Sequence, residues 1–371
     1  MKKIFLFIAL FVAAYLFWSY MGRKGKVQYK FNEVKYFPVF QKDPATANIV
    51  GVQPYMTNLD YQDENSFYKK LDYYMAQAKN KNWLRQNTTV VFPEHIASWL
   101  VAAGEKKSVY TADNIDAAMQ IMVLSNLLNF LNYYFKSNAD DPATDAVFQM
   151  KAKKMAQIYQ SVFSRLARKY KTNIVAGSIF LPNPKIMDNK LIAGKGPIYN
   201  MSAVFLPDGK IAPALVKKKY PIGTELPFCA KNENALPVYQ LNSGKIGVAI
   251  CADAWYGDIY SELNKNKASI FIAPSYSTGH KIWPAKWHGY DGATAPAEIN
   301  KKDIENITLG RAWHKYTIKR IGNTNIKTGI VVFLRGEIWD LGTDGHSFIY
   351  RNGNVISVPK TDMPLLFNVE I

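Results

Sequence analysis

Short runs of apolar residues alternate with amphipathic stretches along most of this chain, a pattern typical of a layered α/β domain. Apolar residues at helical spacing predict a helix over Asn65–Asn80. Uninterrupted apolar runs bounded by turn-forming residues predict buried strands at Asn48–Gln53, Thr89–Phe92, Thr172–Leu181, Lys245–Ile250 and Ser269–Ser275. Strand–helix–strand units followed by hairpins therefore predict an α/β domain over residues 48–371.

One internal segment departs from this alternation of strand and helix patterns. Val101–Met150 includes the strongly apolar helical stretch Ala117–Phe135. Burial in the core or at an interface is the ordinary interpretation of such a stretch. The alternative is a helical insertion over about residues 101–150 that acts as a lid, lining an apolar acyl pocket or touching a bilayer.

The N-terminus is apolar without periodicity. Ile4–Met21 comprises 18 residues, which as a helix would extend about 27 Å, close to the hydrocarbon thickness of a membrane. The segment ends in bulky Trp, Tyr and Met rather than the small residues of a cleavage site. We therefore expect residues 1–26 to be an uncleaved, single-pass membrane anchor, with a cleaved signal peptide as the alternative. Residues 27–47 are expected to be a linker.

Charge and composition narrow the function classes. The chain has 371 residues, 48% of them hydrophobic, and a formal net charge of +17. Basic residues are dispersed and carry no nucleic-acid-binding motif, so we expect no nucleic-acid partner and favour attraction to an anionic membrane surface. Basic residues flank both ends of the apolar segment, which leaves the side of the membrane open. The oligomeric state is also open, a homo-oligomer included.

The two cysteines, Cys229 and Cys251, imply no disulfide framework. Five scattered histidines lack the spacing of metal ligands, so we expect no metal site.

Three potentially reactive groups follow predicted strands. Glu94 comes after Phe92-Pro93, Cys251 ends an apolar run, and the lysines at 217–219 follow the strand–turn–strand segment Ser202–Val216. Strand ends place side chains in the crevices where α/β folds bind ligands. A thiol needs a base to become a nucleophile, a carboxylate can serve as that base, and an ammonium can stabilise an oxyanion. The backbone N–H of Ala252, directly after the cysteine, is a natural second oxyanion donor.

These segments, in this order, resemble the nitrilase (carbon–nitrogen hydrolase) superfamily, whose members carry a Glu-Lys-Cys triad. Pro93-Glu94 matches the first motif, and Gly247–Asp253 matches Gly-x-x-x-Cys-x-Asp. The resemblance covers about residues 48–371. It implies an α-β-β-α sandwich with catalytic Glu94 and Cys251 and no cofactor.

The resemblance identifies the catalytic lysine by its distance in residues from the hairpin glycine. In the family the catalytic lysine follows the hairpin glycine by eight residues, which from Gly209 gives Lys217. The usual Lys-x-His-Leu reads Lys217-Lys218-Lys219-Tyr220 here, so Lys219 is an alternative. A second glutamate often follows the lysine by about eight residues, and Glu225 matches as a supporting residue.

The function implied by the resemblance is cleavage of a non-peptide amide, in a small-molecule or lipid-linked substrate, through a cysteine acyl-enzyme. Transfer of the acyl group to an amine is a related alternative, because apolipoprotein N-acyltransferases belong to the same superfamily. A membrane-tethered binding module without activity is the non-enzyme alternative.

Overall fold

The computed structural model describes residues 2–23, 27, 31–39, 46–292 and 294–371. The α-helices in these residues are α1 (Lys2–Tyr20), α2 (Glu64–Asn80), α3 (Lys107–Tyr110), α4 (Ile115–Ser125), α5 (Leu127–Tyr134), α6 (Pro142–Tyr170), α7 (Gly257–Lys265) and α8 (Leu309–Tyr316).

The strands of the described residues are β1 (Lys35–Val39), β2 (Asn48–Gln53), β3 (Tyr55–Thr57), β4 (Thr88–Phe92), β5 (Asn173–Ala176), β6 (Ile179–Pro182), β7 (Lys185–Met187), β8 (Lys190–Ile192), β9 (Ile198–Ser202), β10 (Val204–Phe205), β11 (Val216–Lys217), β12 (Val238–Leu241), β13 (Gly244–Val248), β14 (Ile270–Ser275), β15 (Thr328–Phe333), β16 (Arg335–Glu337), β17 (Phe348–Arg351), β18 (Asn354–Ser357) and β19 (Leu365–Glu370).

Two six-stranded sheets form the centre of the molecule. Their orders are β1-β19-β2-β4-β5-β10 and β12-β13-β14-β15-β17-β18. Strands β2, β4 and β5 run parallel in the first sheet, as β13, β14 and β15 do in the second. A three-stranded sheet, β11-β9-β6, lies beside them. Parallel strands of one sheet end at a common edge, and the residues that follow them can line a crevice there.

Alternation of side chains along the strands produces the layers. In β4, Val90 and Phe92 join the apolar cluster that contains the buried faces of α2 and α6, whereas Val91 joins the cluster shared with the second sheet. On that sheet's outer face, Gly247 lets α7 approach, because a Cβ there would lie 2.8 Å from a methyl carbon of Leu263. The result is the α-β-β-α sandwich that the sequence predicted.

The sequence prediction was wrong for part of the proposed linker. Lys35–Val39 forms β1, which pairs in parallel with the C-terminal strand β19 in the first sheet. A proline at position 38 is tolerated because β1 lies at the sheet edge. Residues 24–26 of the predicted anchor and residues 28–30 and 40–45 of the predicted linker lie outside the described residues.

Strand β19 was not predicted. It lies between β1 and β2, and its side chains face both apolar clusters: Leu366 contacts the helical side and Phe367 the other sheet. The predicted strand Thr172–Leu181 is divided into β5 and β6 at Gly177. That residue has φ +61° and approaches the carbonyl of Pro93 too closely for a side chain.

The helical insertion contains α3, α4 and α5 and reaches the first turns of α6. The predicted stretch Ala117–Phe135 is two helices rather than one, and they are separated at Asn126. Met122 and Phe130 are buried in the core, while Leu128 faces solvent. Helix α1 is 19 residues long, is apolar enough to cross a membrane, and buries none of its length.

Candidate active site

Cys251 lies in a strained turn just beyond β13. It is the first residue of a 3-10 turn, Cys251–Trp255, and has φ +48°, a left-handed conformation that is uncommon for a residue other than glycine. Its side chain is buried, and its thiol lies 3.5 Å from the carbonyl oxygen of Tyr276. Ala252 is the second residue of the turn, so its N–H belongs to the donors that a helix start leaves without an internal partner.

Asp253 connects this turn to the segment that carries the lysines. One carboxylate oxygen accepts hydrogen bonds from the backbone N–H groups of Lys219, at 2.9 Å, and Tyr220, at 2.8 Å. The other oxygen accepts from the N–H of Ile250 at 3.1 Å. Burial raises the pKa of Asp253 to about 7. Asp253 therefore fixes the position of Cys251 relative to the lysine segment, although the sequence indicated it only as a motif residue.

Lys218 is the lysine that lies in the site. Its Nζ is 2.8 Å from Oε1 of Glu94 and 2.6 Å from Oε2 of Glu225, and all three side chains are buried. Asn200, on β9, donates from Nδ2 to Oε1 of Glu94 at 2.9 Å and to Oε1 of Glu225 at 2.8 Å. Two carboxylates thus share one ammonium and one amide.

The placement corrects the sequence prediction for the lysine. Nζ of Lys217 lies 4.3 Å above the ring of Tyr199, and Lys219 pairs with Glu262 at 2.7 Å. Lys217 is the last residue of β11, so its neighbour Lys218 projects toward the opposite face. The count from the hairpin glycine is therefore one residue too short for this chain, and a one-residue error reverses the face.

The hairpin itself explains the error. After the turn at Gly209, Ile211 still pairs with Phe205, but β11 pairs with β9 instead of continuing along β10. The chain between Ile211 and β11 contains Pro213 and has no strand structure. A fixed count across such a segment does not preserve register.

Charge interactions set the protonation states of the site. Burial by itself lowers the pKa of Lys218, but the carboxylates of Glu225 and Glu94 outweigh burial and raise it well above its usual value. Burial raises the pKa of Glu225, but Lys218 outweighs this effect and lowers it. Burial and the Glu94 charge raise the pKa of Cys251 well above its usual value, against the effect of Lys218. At neutral pH the site therefore holds a charged ammonium and a protonated thiol.

His95 completes the polar cluster. Its Nε2 lies 3.8 Å from Oε1 of Glu94 and 3.7 Å from Oε1 of Glu225, and its Nδ1 lies 3.0 Å from the hydroxyl of Ser98. Burial lowers its pKa, so the ring is neutral at neutral pH.

Glu94, His95 and Glu225 could together offer three ligand atoms to a metal ion, all within 4.8 Å of one another. The ammonium of Lys218 already bonds both carboxylates, and a cation at this place would have to displace it. The donor set therefore fits an internal ammonium better than a metal.

A large cavity lies away from the thiol. It has a volume of about 670 Å³ and lies between α5, the start of α6 and the segment Leu226–Ala230. Its lining includes Cys229 and Phe228, but none of the residues of the Cys251–Lys218 cluster. Phe228 stacks on Phe148 of α6 and contacts Phe180, whose ring lies 4.9 Å from that of His95. An aromatic wall thus separates the cavity from the polar cluster.

Solved structures of similar fold include amidases. A cysteine-to-serine mutant of the Nesterenkonia AN1 amidase from the nitrilase superfamily has a TM-score of 0.53 at 14% identity, covering 88% of this chain and 92% of that one. The cysteine-to-alanine mutant of this amidase in complex with butyramide has a TM-score of 0.54 at 13% identity, covering 90% of this chain and 94% of that one. A third structure is a glutamate-to-glutamine mutant of the Nesterenkonia sp. AN1 amidase, in which the acetamide moiety of fluoroacetamide is added covalently at the active-site cysteine. It has a TM-score of 0.53 at 13% identity, covering 89% of this chain and 92% of that one. This similarity defines the class of the fold, a nitrilase-type sandwich.

The family model of the carbon–nitrogen hydrolases matches residues 59–293. This match spans more than half of the 371 residues, and the chain belongs to the carbon–nitrogen hydrolase family. No curated protein matches it significantly.

Proposed function

We propose that the protein is a membrane-anchored amidase that cleaves a non-peptide amide through an acyl-enzyme on Cys251. The observation that carries the proposal is the placement of Lys218 between Glu94 and Glu225, on a segment that Asp253 bonds to the cysteine turn. A buried ammonium held by two carboxylates is costly unless all its bonds are made, and here the partners come from three separate parts of the chain.

In the proposed mechanism Glu94 accepts the thiol proton as the sulfur of Cys251 forms a bond to the amide carbon. The carbonyl π electrons move to oxygen, and the resulting oxyanion is stabilised by Lys218 and the N–H of Ala252. Glu94 then returns the proton to the leaving nitrogen, and the C–N bond breaks. Water, deprotonated by the same carboxylate, attacks the thioester and releases the acid with the free thiol.

The remaining polar residues hold this arrangement. Glu225 binds the second side of the ammonium, so Lys218 keeps its orientation when Glu94 becomes protonated. Asn200 bonds both carboxylates and keeps them apart from direct contact. Since the thiol is protonated at rest, the base acts within the reaction rather than by maintaining a standing thiolate.

We propose the described part of residues 1–26 as a retained anchor. Helix α1 is long enough to span a bilayer. Arg23, three residues beyond its end, reaches into the domain and pairs with the buried carboxylate of Glu105 at 2.9 Å. A cleavage that removed Arg23 would leave that carboxylate without this partner, which favours an anchor over a signal peptide.

The acyl-enzyme is tested by intact-mass measurement after the full-length protein reacts with a panel of small aliphatic amides. We expect a mass increase equal to the acyl group, absent in Cys251→Ala and retained in the matched control Cys229→Ala. An added primary amine separates the two reactions: hydrolysis releases only the acid, whereas acyl transfer yields the amide of the added amine. Absence of an adduct with every amide, together with thiol reactivity unchanged in Glu94→Gln, would favour a binding module.

A further inference from the structure

The anchor helix is fixed to the domain at its C-terminal end. Arg23 donates to the carbonyls of Gly104 and Ser125, both at 3.1 Å, in addition to its ion pair with Glu105. Close by, Nζ of Lys106 lies 3.4 Å from the ring centroid of Trp18. These contacts make the junction between α1 and the domain a fixed joint rather than a free tether.

A second contact lies further along the helix. The hydroxyl of Tyr15 donates to the carbonyl of Leu124 at 3.1 Å and accepts from the N–H of Leu127 at 3.0 Å. It therefore holds the junction of α4 and α5 against the side of α1. Tyr15 precedes the last residue of α1, Tyr20, by five positions, which corresponds to about 7 to 8 Å along the helix axis.

This distance determines the depth of the α4–α5 junction. The 19 residues of α1 extend about 28 Å, and the hydrocarbon core of a bilayer is about 30 Å thick, so a spanning α1 uses its whole length. Tyr20 then lies near the boundary between headgroups and acyl chains, and Tyr15 lies about 7 to 8 Å inside that boundary. Amphipathic helices that lie in a membrane interface are buried to a similar depth, about 5–10 Å.

The surface presented at that level is apolar. Beyond α1 and Met21, which directly follows it, the exposed large hydrophobic side chains of the described residues are Phe31, Leu124, Leu128, Tyr134, Phe135 and Met187. Four of these six lie in or directly after α4 and α5. Leu124, Leu128 and Phe135 are here called the hairpin face. Leu128 and Phe135 are seven residues apart in and directly after α5, which places them on one side of that helix, and Leu124 lies near the end of α4.

We propose that the hairpin face inserts into the membrane interface beside α1, so that the α4–α5 hairpin is a second membrane contact. The occupant of this surface is lipid rather than a protein partner, because the surface continues directly from a helix that carries the same exposed apolar character. The inference rests on the proposed anchor. Asn132, Tyr133 and Lys136 of the same hairpin region line the 670 Å³ cavity, which would then open at headgroup level.

The test uses the full-length protein in vesicles of equal parts phosphatidylcholine and phosphatidylglycerol that contain nitroxide-labelled lipid. Single cysteines are introduced by Leu128→Cys and Phe135→Cys and labelled with an environment-sensitive dye. Leu10→Cys in α1 reports insertion of the anchor, and Asn352→Cys, at the β17–β18 turn, reports a surface away from the membrane. The chain without an added cysteine is the blank, since both native thiols are buried.

We expect lipid nitroxide to quench the labels at positions 10, 128 and 135, while the label at position 352 responds only to aqueous iodide. Iodide quenching at 128 and 135, with nitroxide quenching at 10, would overturn the docking of the hairpin but leave the anchor intact. Shielding of 128 and 135 from both quenchers would also overturn it, since it indicates a second copy or another protein on the hairpin face. Absence of nitroxide quenching at all four positions would refute the anchor and the docking together.

Discussion

Replacement of Lys218 by methionine is the sharpest test of the site, because the structure assigns to Lys218 the place that the motif count gives to Lys217. Lys218→Met removes an ammonium that lies 2.8 Å from Glu94 and 2.6 Å from Glu225 in a buried site. The two carboxylates would then face each other across Asn200 without a cation.

The expected cost has two parts. Removing one partner of a buried ion pair destabilises a protein by about 3–5 kcal/mol, a large share of a typical total of about 5–15 kcal/mol. Loss of an oxyanion donor lowers kcat by about 10²- to 10³-fold. We therefore expect Lys218→Met to lower both the urea midpoint and the rate of amide turnover.

Two further variants separate stability from chemistry. Lys217→Met is the matched control, because its ammonium only lies above the Tyr199 ring at a half-exposed position. It should cost no more than about 1 kcal/mol and leave kcat near the original value. The double variant Lys218→Met with Glu225→Gln removes one positive and one negative charge. It should regain most of the lost stability while remaining inactive.

The assays are equilibrium unfolding in urea and single-turnover acylation followed by intact mass. Activity retained in Lys218→Met, or lost in Lys217→Met at unchanged stability, would contradict the assignment. Recovery of turnover in the double variant would show that the lysine acts through folding alone.

Three other predictions follow from buried charges. Asp253→Asn disturbs the three backbone bonds that hold the cysteine turn to the lysine segment; kcat should fall about 10²-fold, the cost of a misplacement of about 1 Å, with little change in KM. Glu105→Gln weakens the buried partner of Arg23, and unfolding in detergent micelles should show a loss of about 3–5 kcal/mol. For His346, burial and the charge of Arg335 lower the pKa to about 4. In the unfolded chain the pKa of this ring is about 6.5, so between about pH 4 and 6.5 the unfolded state binds more protons than the folded state. The free energy of unfolding therefore rises with pH by up to about 1.4 kcal/mol per pH unit in this range. His346→Gln should remove that slope.

The matched controls place the same substitutions at exposed positions: Asp258→Asn, Glu298→Gln and His288→Gln. Each should leave its respective measurement nearly unchanged, because solvent compensates an exposed group. An effect on kcat from Asp258→Asn as large as that from Asp253→Asn would remove the positioning role of Asp253. Equal losses of unfolding free energy in Glu105→Gln and Glu298→Gln would contradict a stabilising role of the Arg23–Glu105 pair. A pH dependence of stability that is unaltered in His346→Gln would show that this ring titrates normally.

The proposed nucleophile and base could be located from the sequence for a physical reason. Glu94 comes two residues after β4 and Cys251 three residues after β13, so their positions depend on the local apolar pattern of these strands. The lysine depends instead on how β11 pairs with β9 after an irregular segment, and no local pattern specifies that register. Asn200 was not foreseen for the same reason, since it reaches the site through the pairing that places its carbonyl 2.9 Å from the N–H of Lys218.

The same distinction applies to the fold. The α/β class was predictable because β2, β4 and β14 are buried along their whole length, as parallel strands covered on both faces are, and the α-β-β-α order was implied by the family resemblance. Strand β1 has the exposure pattern of an edge strand and includes a proline, so its segment resembled a linker. Its partner is β19, more than 320 residues away in the chain, and such long-range pairing leaves no mark on the local sequence.

The helical insertion is bonded to the candidate catalytic cluster as well as to the anchor. Asp141, immediately before α6, donates its backbone N–H to the carbonyl of Pro227 at 2.9 Å, and Phe148 of α6 stacks on Phe228. Pro227 and Phe228 belong to the turn that begins at Glu225 and is closed by the bond from the N–H of Cys229 to the carbonyl of Glu225. The carboxylate that orients Lys218 is therefore supported by the same insertion that contacts α1. A detachable lid would leave Glu225 in place when it moved; this insertion could not move far without disturbing the support of the ammonium.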